Sequence, residues 1–236
     1  MKVHRFIGAF NLGEEKIVLV DKDLVHQLSR VLRFQLGDHI QLCDGRGNEA
    51  LVRLTAMTKH EVLGTIEERF PSRQEPERHV VLYVAILKRE NLVWVAQKAT
   101  EVGVHTIVPI VTRRTIKQDL RIDRLEDIVR EAAEQSGRGH VPQVSIPCSF
   151  QEALAASAEH EARYFFHVDA TKNTKHATIP EGTVSVFVGP EGGWEEEEVQ
   201  LAREANLAFS SLGSFVLRGE TAAIIATYQA VNGLSL

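Results

Sequence analysis

Residues 80–87 are eight consecutive apolar residues, Val-Val-Leu-Tyr-Val-Ala-Ile-Leu, and they constrain this chain more than any other stretch. A strand without a polar face has to be covered on both sides, which is the position of a strand in a parallel sheet flanked by helices. The sequence that follows keeps to that plan. A helical pattern over 91–102 buries Leu92, Val95, Ala96, Ala99 and Val102, and Gly103 stands where a left-handed C-cap belongs. Strand-like runs at 106–111, 143–146, 164–168, 184–188 and 208–212 then alternate with helical patterns at 121–135, 150–158, 195–205 and 220–231. This alternation predicts an α/β domain with a mostly parallel sheet and helices on both faces.

The first third of the chain reads differently. A strand at 16–20 precedes a helix that Asp23 is expected to cap and that runs to about Phe34, with Leu24, Leu28, Val31 and Leu32 on one face. Three β-like runs follow at 38–43, 48–57 and 61–67, the first two joined by the tight turn Asp44-Gly45-Arg46-Gly47-Asn48. The result is a small β-barrel-like module with one helix. Between the two parts, residues 71–78 hold two prolines, mixed charge and no apolar residue, the composition of a linker. The expected organisation is therefore 1–70, a linker at 71–78, and 79–236.

Composition sets the limits on function. The chain of 236 residues is 44% hydrophobic and 25% charged, ordinary for a globular protein, and no apolar run approaches the ~20 residues of a membrane span. The first residues show no apolar leader core. Cys43 and Cys148 are far apart and match no metal or redox spacing, so inert thiols, no metal and a cytoplasmic setting are expected. Net charge is −5, but residues 1–70 balance at 10 Lys/Arg against 10 Asp/Glu. Any nucleic-acid contact must therefore come from local patches, not from the field of the whole chain.

Two segments carry chemistry. The first is the buried strand 184–188 running into Gly189-Pro190-Glu191-Gly192-Gly193-Trp194 and then four glutamates. In open α/β sheets ligands lie beyond the carboxyl ends of strands, where such loops sit. The glutamates suit a helix N-terminus but repel phosphate, and the loop lacks the Lys-Ser/Thr of a phosphate-binding loop. The second is 211–223, Ser-Leu-Gly-Ser-Phe-Val-Leu-Arg-Gly-Glu-Thr-Ala-Ala, another strand-loop-helix passage. Leu212 and Leu217 suit an apolar slot, and Arg218 is a single cation among small and apolar residues, where it needs a partner. Alone, the pair indicates a glycine-lined crevice for a ligand that is not a di- or triphosphate.

Gly-Pro-Glu-Gly-Gly after an apolar strand, followed by Leu-Gly-(x)3-Leu-Arg-x-Glu-Thr-Ala, resembles the SPOUT methyltransferase superfamily. Within it the chain is most similar to the RsmE family, the 16S ribosomal RNA uridine-N3 methyltransferases. The likeness extends to Lys88 before a helix containing Gln97-Lys98-Ala99-Thr100-Glu101-Val102-Gly103-Val104, to Glu134-Gln135-Ser136-Gly137-Arg138, and to the opening His4-Arg5-Phe6. One departure is Ser214-Phe215, where the family usually has Pro-Arg. The resemblance implies an N-terminal PUA-like RNA-binding barrel and a C-terminal SPOUT α/β domain threaded into a deep trefoil knot. It implies S-adenosyl-L-methionine (SAM) as methyl donor, and a homodimer formed through the last helix.

By motif position, Gly189, Glu191, Gly193, Leu212, Gly213, Leu217 and Thr221 are expected at the SAM site, with His167 facing the same crevice from the end of its strand. Thr221 has the alternative of capping the last helix. Arg218 is expected to stabilise charge on the uracil oxygens while the N3 proton leaves, with Glu191 or Glu220 as acceptor. RNA contact is expected from Arg5, Arg30 and Arg33, the last two on one helix face, and from Lys88, Arg89, Arg113, Arg114 and Arg138. The substrate implied is 16S rRNA or the small ribosomal subunit. Alternative readings are a SPOUT enzyme acting on tRNA ribose 2′-oxygens, or a non-catalytic RNA-binding or ribosome-assembly factor.

Overall fold

In the computed structural model, residues 3–73, 75–115, 120–168, 170 and 179–233 are described, apart from the side chain of Arg89. They form two units. One comprises the chain up to Glu75 together with Ala133–Val141, and the other comprises Pro76–Ala132 and the chain from Pro142. The first unit thus takes a stretch, 133–141, that lies far along the chain from the rest of it.

The first unit is built on five strands: β1 (His4–Ile7), β2 (Lys16–Leu19), β3 (His39–Cys43), β4 (Asn48–Met57) and β5 (Val62–Pro71). Their order is β1-β3-β4-β5-β2, with β1 parallel to β3 and the other pairs antiparallel. Register shifts at Leu51/Val52 and Leu54/Ala56 bend the long β4–β5 ribbon around its apolar face. Ile40, Leu42, Val52, Leu54 and Val62 fill that face with Leu28. The helix departs from the sequence pattern. Asp21, not Asp23, caps it by accepting the Leu24 N–H at 2.9 Å. The α-helical part, α1 (Lys22–His26), ends early and passes into a π-helical turn over Gln27–Val31. Leu32 N donates to Gln27 O at 2.8 Å and Phe34 N to Leu28 O at 3.0 Å. Arg33 is left-handed with φ 56°. The helix therefore does not carry Arg30 and Arg33 on one regular face.

The segment expected as a linker is tied down. β5 runs to Pro71, and the Glu75 carboxylate takes the Arg138 guanidinium at 2.6 Å and the Gly139 N–H at 3.0 Å.

The second unit carries β6 (Arg78–Ala85), α2 (Arg89–Glu101), β7 (Thr106–Val111), α3 (Ile122–Ser136, its last turn belonging to the first unit), β8 (Gln143–Val144), β9 (Cys148–Ser149), α4 (Phe150–Ala156), β10 (Ala162–Phe166), β11 (Gly182–Val188), α5 (Glu196–Glu204), β12 (Ala208–Ser210) and α6 (Gly219–Asn232). Its sheet runs β12-β10-β11-β6-β7-β8, with β9 also on β7, and every pair is parallel. The apolar run at 80–87 is the origin of β6, buried from Val80 to Leu87. Phe165, Phe187, Phe150 and Trp194 interlock on one face of the sheet at ring separations of 4.6–6.1 Å. Among the described residues no helix is long and apolar enough to cross a membrane.

The topology places the site. From β6 the chain moves outward through β7 to β8, then crosses to β10 and returns to insert β11 beside β6. The sheet order therefore reverses at the β6–β11 pair, the position where open parallel sheets bind ligands.

Candidate active site

Because the strands are parallel, the loops that follow β6, β10, β11 and β12 all leave the same edge of the sheet. These loops contain Leu87-Lys88, His167, Gly189–Trp194 and the passage from Ser211 to Arg218. They are fastened to one another. The Trp194 indole N–H donates to the Phe166 carbonyl at 3.0 Å, and His167 N donates to Ser210 O at 3.0 Å. Trp194 is buried and lies against Gly189, where a Cβ would come within 2.9 Å of the indole. Only glycine lets the strand end pass that close to the ring. The sequence reading missed Trp194; its signal was a lone aromatic between a glycine pair and four glutamates.

Glu191 takes a structural place. Its Oε1 accepts the Lys88 N–H at 3.1 Å and the Asn91 side-chain amide at 3.2 Å. Lys88 is the N-cap of α2 and caps nothing with its own side chain, so Glu191 satisfies a donor at that helix start from another element. A carboxylate there also suits the positive end of the helix.

The glutamates after Trp194 hold the far side of the loop. Glu195 and Glu198 form a capping box at the start of α5. Glu198, 4% exposed, also accepts the Arg113 N–H at 2.9 Å. Arg114 donates to Glu195 at 2.7 Å and to the Gly192 carbonyl. The Arg114 guanidinium beside Glu195 holds that carboxyl below the usual carboxylate range. Arg113 reaches Glu197 at 3.2 Å. These two arginines, expected at RNA, are here engaged with α5 and the glycine loop.

In the passage 211–218, Gly213 adopts φ 125° and a side chain there would meet open space. Leu212 and Leu217 are half-buried, while Phe215 and Val216 are 86% and 82% exposed. Arg218 is exposed and is the N-cap of α6; that helix has no side-chain cap, so Thr221 does not fill that place. Glu220 Oε2 and Ser210 Oγ are buried without a hydrogen-bond partner.

Of the other residues expected to meet RNA, Arg30, Arg33 and Lys88 are exposed. The structure revises the expectation for Arg5 and Arg138. Arg5 pairs with buried Glu49 at 2.8 Å and donates to the Arg138 carbonyl, and Arg138 is 9% exposed on Glu75. Both guanidiniums neutralise internal carboxylates of the first unit, because a buried Glu without a cation is costly. The Arg89 side chain lies outside the described residues. Burial pushes both thiols, Cys43 and Cys148, above the ordinary cysteine range, and no metal-holding cluster of His, Cys, Asp or Glu occurs among the described residues.

Known proteins bear on this geometry. The family described as an RNA methyltransferase domain matches residues 73–231, and that described as an RNA methyltransferase PUA domain matches 20–67. The ribosomal RNA small subunit methyltransferase E of Rickettsia conorii is 31% identical, with 97% of this chain and 95% of the relative aligned. That of Bacillus subtilis is 31% identical over 86% of this chain and 84% of its own length. The crystal structure of the Neisseria gonorrhoeae enzyme bound to S-adenosyl methionine superposes with a TM-score of 0.89 at 31% identity, covering 96% of this chain and 95% of that one. With its PUA-like first unit, its parallel-sheet second unit and its glycine loops at the sheet reversal, the chain belongs to the ribosomal RNA small subunit methyltransferase E family of SAM-dependent RNA methyltransferases.

Proposed function

We propose that this chain methylates N3 of one uridine in 16S rRNA, using SAM held by the loops after β10, β11 and β12. The observation that carries the reading is the convergence of those loops at the β6–β11 reversal, with the glycine passage fixed by Glu191, Trp194 and Arg114. The residues fit the cofactor. Glycines and the half-buried Leu212 and Leu217 lie along these loops, open space lies at Gly213, and the acidic start of α5 disfavours phosphate. SAM supplies a methyl group on a sulfonium. Gly189, Gly193, Leu212, Gly213 and Leu217 would hold it, with His167 and Thr221 as further residues of the same site. The deep knot implied by the family belongs to the same reading.

Uridine N3 carries a proton and lies inside the pairing edge, so the base must be unpaired or flipped out of its stack. Arg218, exposed at the start of α6, holds the uracil oxygens as the N3 proton leaves. Glu220 is the better acceptor, since one of its oxygens is buried without a partner while Glu191 is occupied at the start of α2. Arg30, Arg33 and Lys88 supply RNA phosphate contacts. The protein acts in the cytoplasm as a homodimer through α6, where Ile225 and Tyr228 are exposed three residues apart.

Nucleoside mass spectrometry of small-subunit rRNA from cells with and without the protein tests the reading. Protein-dependent 3-methyluridine is expected; ribose methylation in its place, or no change, overturns the choice of N3.

A further inference from the structure

The first unit has a cavity of about 620 Å³ lined by His4, Leu32, Arg33, Phe34, His39 and Leu51, among others. Three local features converge on it. The chain leaves α1 through a π-helical turn, a rare geometry that recurs at functional sites. Arg33 then adopts φ 56°, a left-handed conformation that costs free energy in residues other than glycine and that is enriched at functional sites. Together these two features deliver Arg33 and Phe34 to the cavity rim. The Phe34 ring meets His4 edge-on at 5.5 Å, while its body packs on the apolar core beneath. A helix continued regularly to Phe34 would not produce this backbone.

The lining has the chemistry of a base pocket. Among its lining residues Leu32 and Leu51 are apolar, half-buried Phe34 is aromatic, and Arg33, His4 and His39 supply a guanidinium and two imidazoles. Acidic Asp38 also lines it, but its Oδ2 is held by the Gln35 N–H at 2.7 Å. His39 is paired with Glu67 at 2.8 Å, and Glu67 also takes Arg53 at 2.6 Å, so the carboxylate at this edge is neutralised. A volume of this size suits one nucleotide. Proteins read unpaired RNA by stacking splayed bases on aromatic and guanidinium planes.

We infer that this cavity is a second RNA subsite, which takes an unpaired nucleobase on Phe34 and its phosphate on Arg33. The inference rests on the RNA methyltransferase reading and extends it to a contact away from the methylated base.

The test uses the full chain and a single-stranded hexauridylate carrying one 2-aminopurine. Two substitutions respect the fold: Phe34→Leu keeps an apolar contact with the core, and Arg33→Gly suits φ 56° better than arginine does. Wild type should quench the 2-aminopurine on binding. Phe34→Leu should remove the quench and weaken binding about tenfold. Arg33→Gly should weaken binding by a similar factor and lower the salt dependence by about one charge. Both variants should remain folded with SAM affinity at the wild-type value; a modest change in thermal stability is expected in each, since Arg33→Gly alters a left-handed position and Phe34→Leu trims a core contact. Wild-type RNA affinity and quench in the folded variants, or no binding of the oligonucleotide by wild type, overturns the inference. If 3-methyluridine still forms in those cases, the functional reading stands and the subsite alone fails. If the pocket binds RNA but no 3-methyluridine forms, the functional reading alone fails.

Discussion

The Glu191 carboxylate accepts the backbone N–H of Lys88 at 3.1 Å, joining the loop after β11 to the start of α2. A residue that sequence position suggested for proton transfer is thereby engaged in holding the loop after β11. Substitution separates the two roles, because glutamine keeps the accepting oxygen and loses the basicity. Glu191→Gln should retain turnover within a few-fold of wild type. Glu191→Ala should weaken SAM binding about tenfold, the scale of losing a cap and a side-chain bond. Isothermal titration with SAM and single-turnover rates on RNA measure both. A Gln variant with normal SAM affinity and a turnover loss of several hundredfold would return Glu191 to proton transfer.

Gly189 makes the same loop sensitive to a single methyl group. A Cβ there would sit 2.9 Å from the Trp194 indole, whose N–H is committed to Phe166 O. The ring is packed against Phe150 and Phe165 and cannot retreat cheaply. Gly189→Ala should cost about 1–3 kcal/mol of stability and weaken SAM binding together. Chemical denaturation and titration of SAM check it, and an unperturbed variant would show that the loop can yield.

How much of this was legible in the sequence depends on the range of the interaction. β6 and β11 were readable because continuous apolar runs report burial on both faces, and the glycine loop was readable because it is contiguous. The π-helical turn was not, since Leu24, Leu28, Val31 and Leu32 satisfy an α-helical pattern while the backbone widens beneath them. β1 was missed because only two of its four residues are apolar, and its pairing partner lies more than thirty residues away. Arg5 and Arg138 looked like surface cations because nothing local to either announces Glu49 or Glu75. Trp194 and Asn91 gained meaning only when strand order brought the loop after β11 against the end of β10 and the start of α2.

Those internal ion pairs set the acid response of the first unit. Burial pushes the Glu75 carboxyl up, but the Arg138 guanidinium and the Gly139 and His140 amides outweigh it and hold it below the usual carboxylate range. Burial likewise raises Glu49, and Arg5, Ser72 and Gln41 bring it below that range. A depressed folded-state pKa contributes stability that is fully present above the unfolded value, roughly pH 4.3, and is lost as pH falls through the folded pKa. The contribution of these two carboxylates should therefore be constant from pH 7 to about 5 and fall steeply below about 4. Glu75→Gln should lose about 3 kcal/mol at pH 7, because it leaves Arg138 buried without its carboxylate, and should respond less to acid. Urea denaturation from pH 3 to 7 measures this; equal acid slopes in variant and wild type would exclude the pair as the cause.

Exposed apolar residues on α6 make the oligomeric state testable. Ile225 and Tyr228 are 36% and 49% exposed and lie three residues apart on the helix. A homodimer through this face buries both, and a charge placed there is desolvated without a partner. Ile225→Glu combined with Tyr228→Glu should yield a folded monomer by light scattering. Persistence of a dimer would place the interface elsewhere, and a monomeric wild type would remove the proposal.

Arg218 is the residue on which the proposed chemistry depends most directly. It is exposed, its carbonyl accepts the Ala222 N–H at 2.9 Å to start α6, and its guanidinium projects from the junction between the glycine passage and that helix. Its backbone role is retained by any side chain, so Arg218→Ala should fold with normal stability and bind SAM normally. Loss of a donor aimed at developing negative charge typically lowers turnover by about 10²–10³-fold. Arg218→Lys keeps the charge but not the planar fork that spans two uracil oxygens, and should recover only part of the rate. Single-turnover methylation at saturating SAM and RNA isolates the effect on the chemical step. Near-normal methylation by Arg218→Ala would remove Arg218 from the mechanism, and a loss confined to RNA affinity would make it a docking residue.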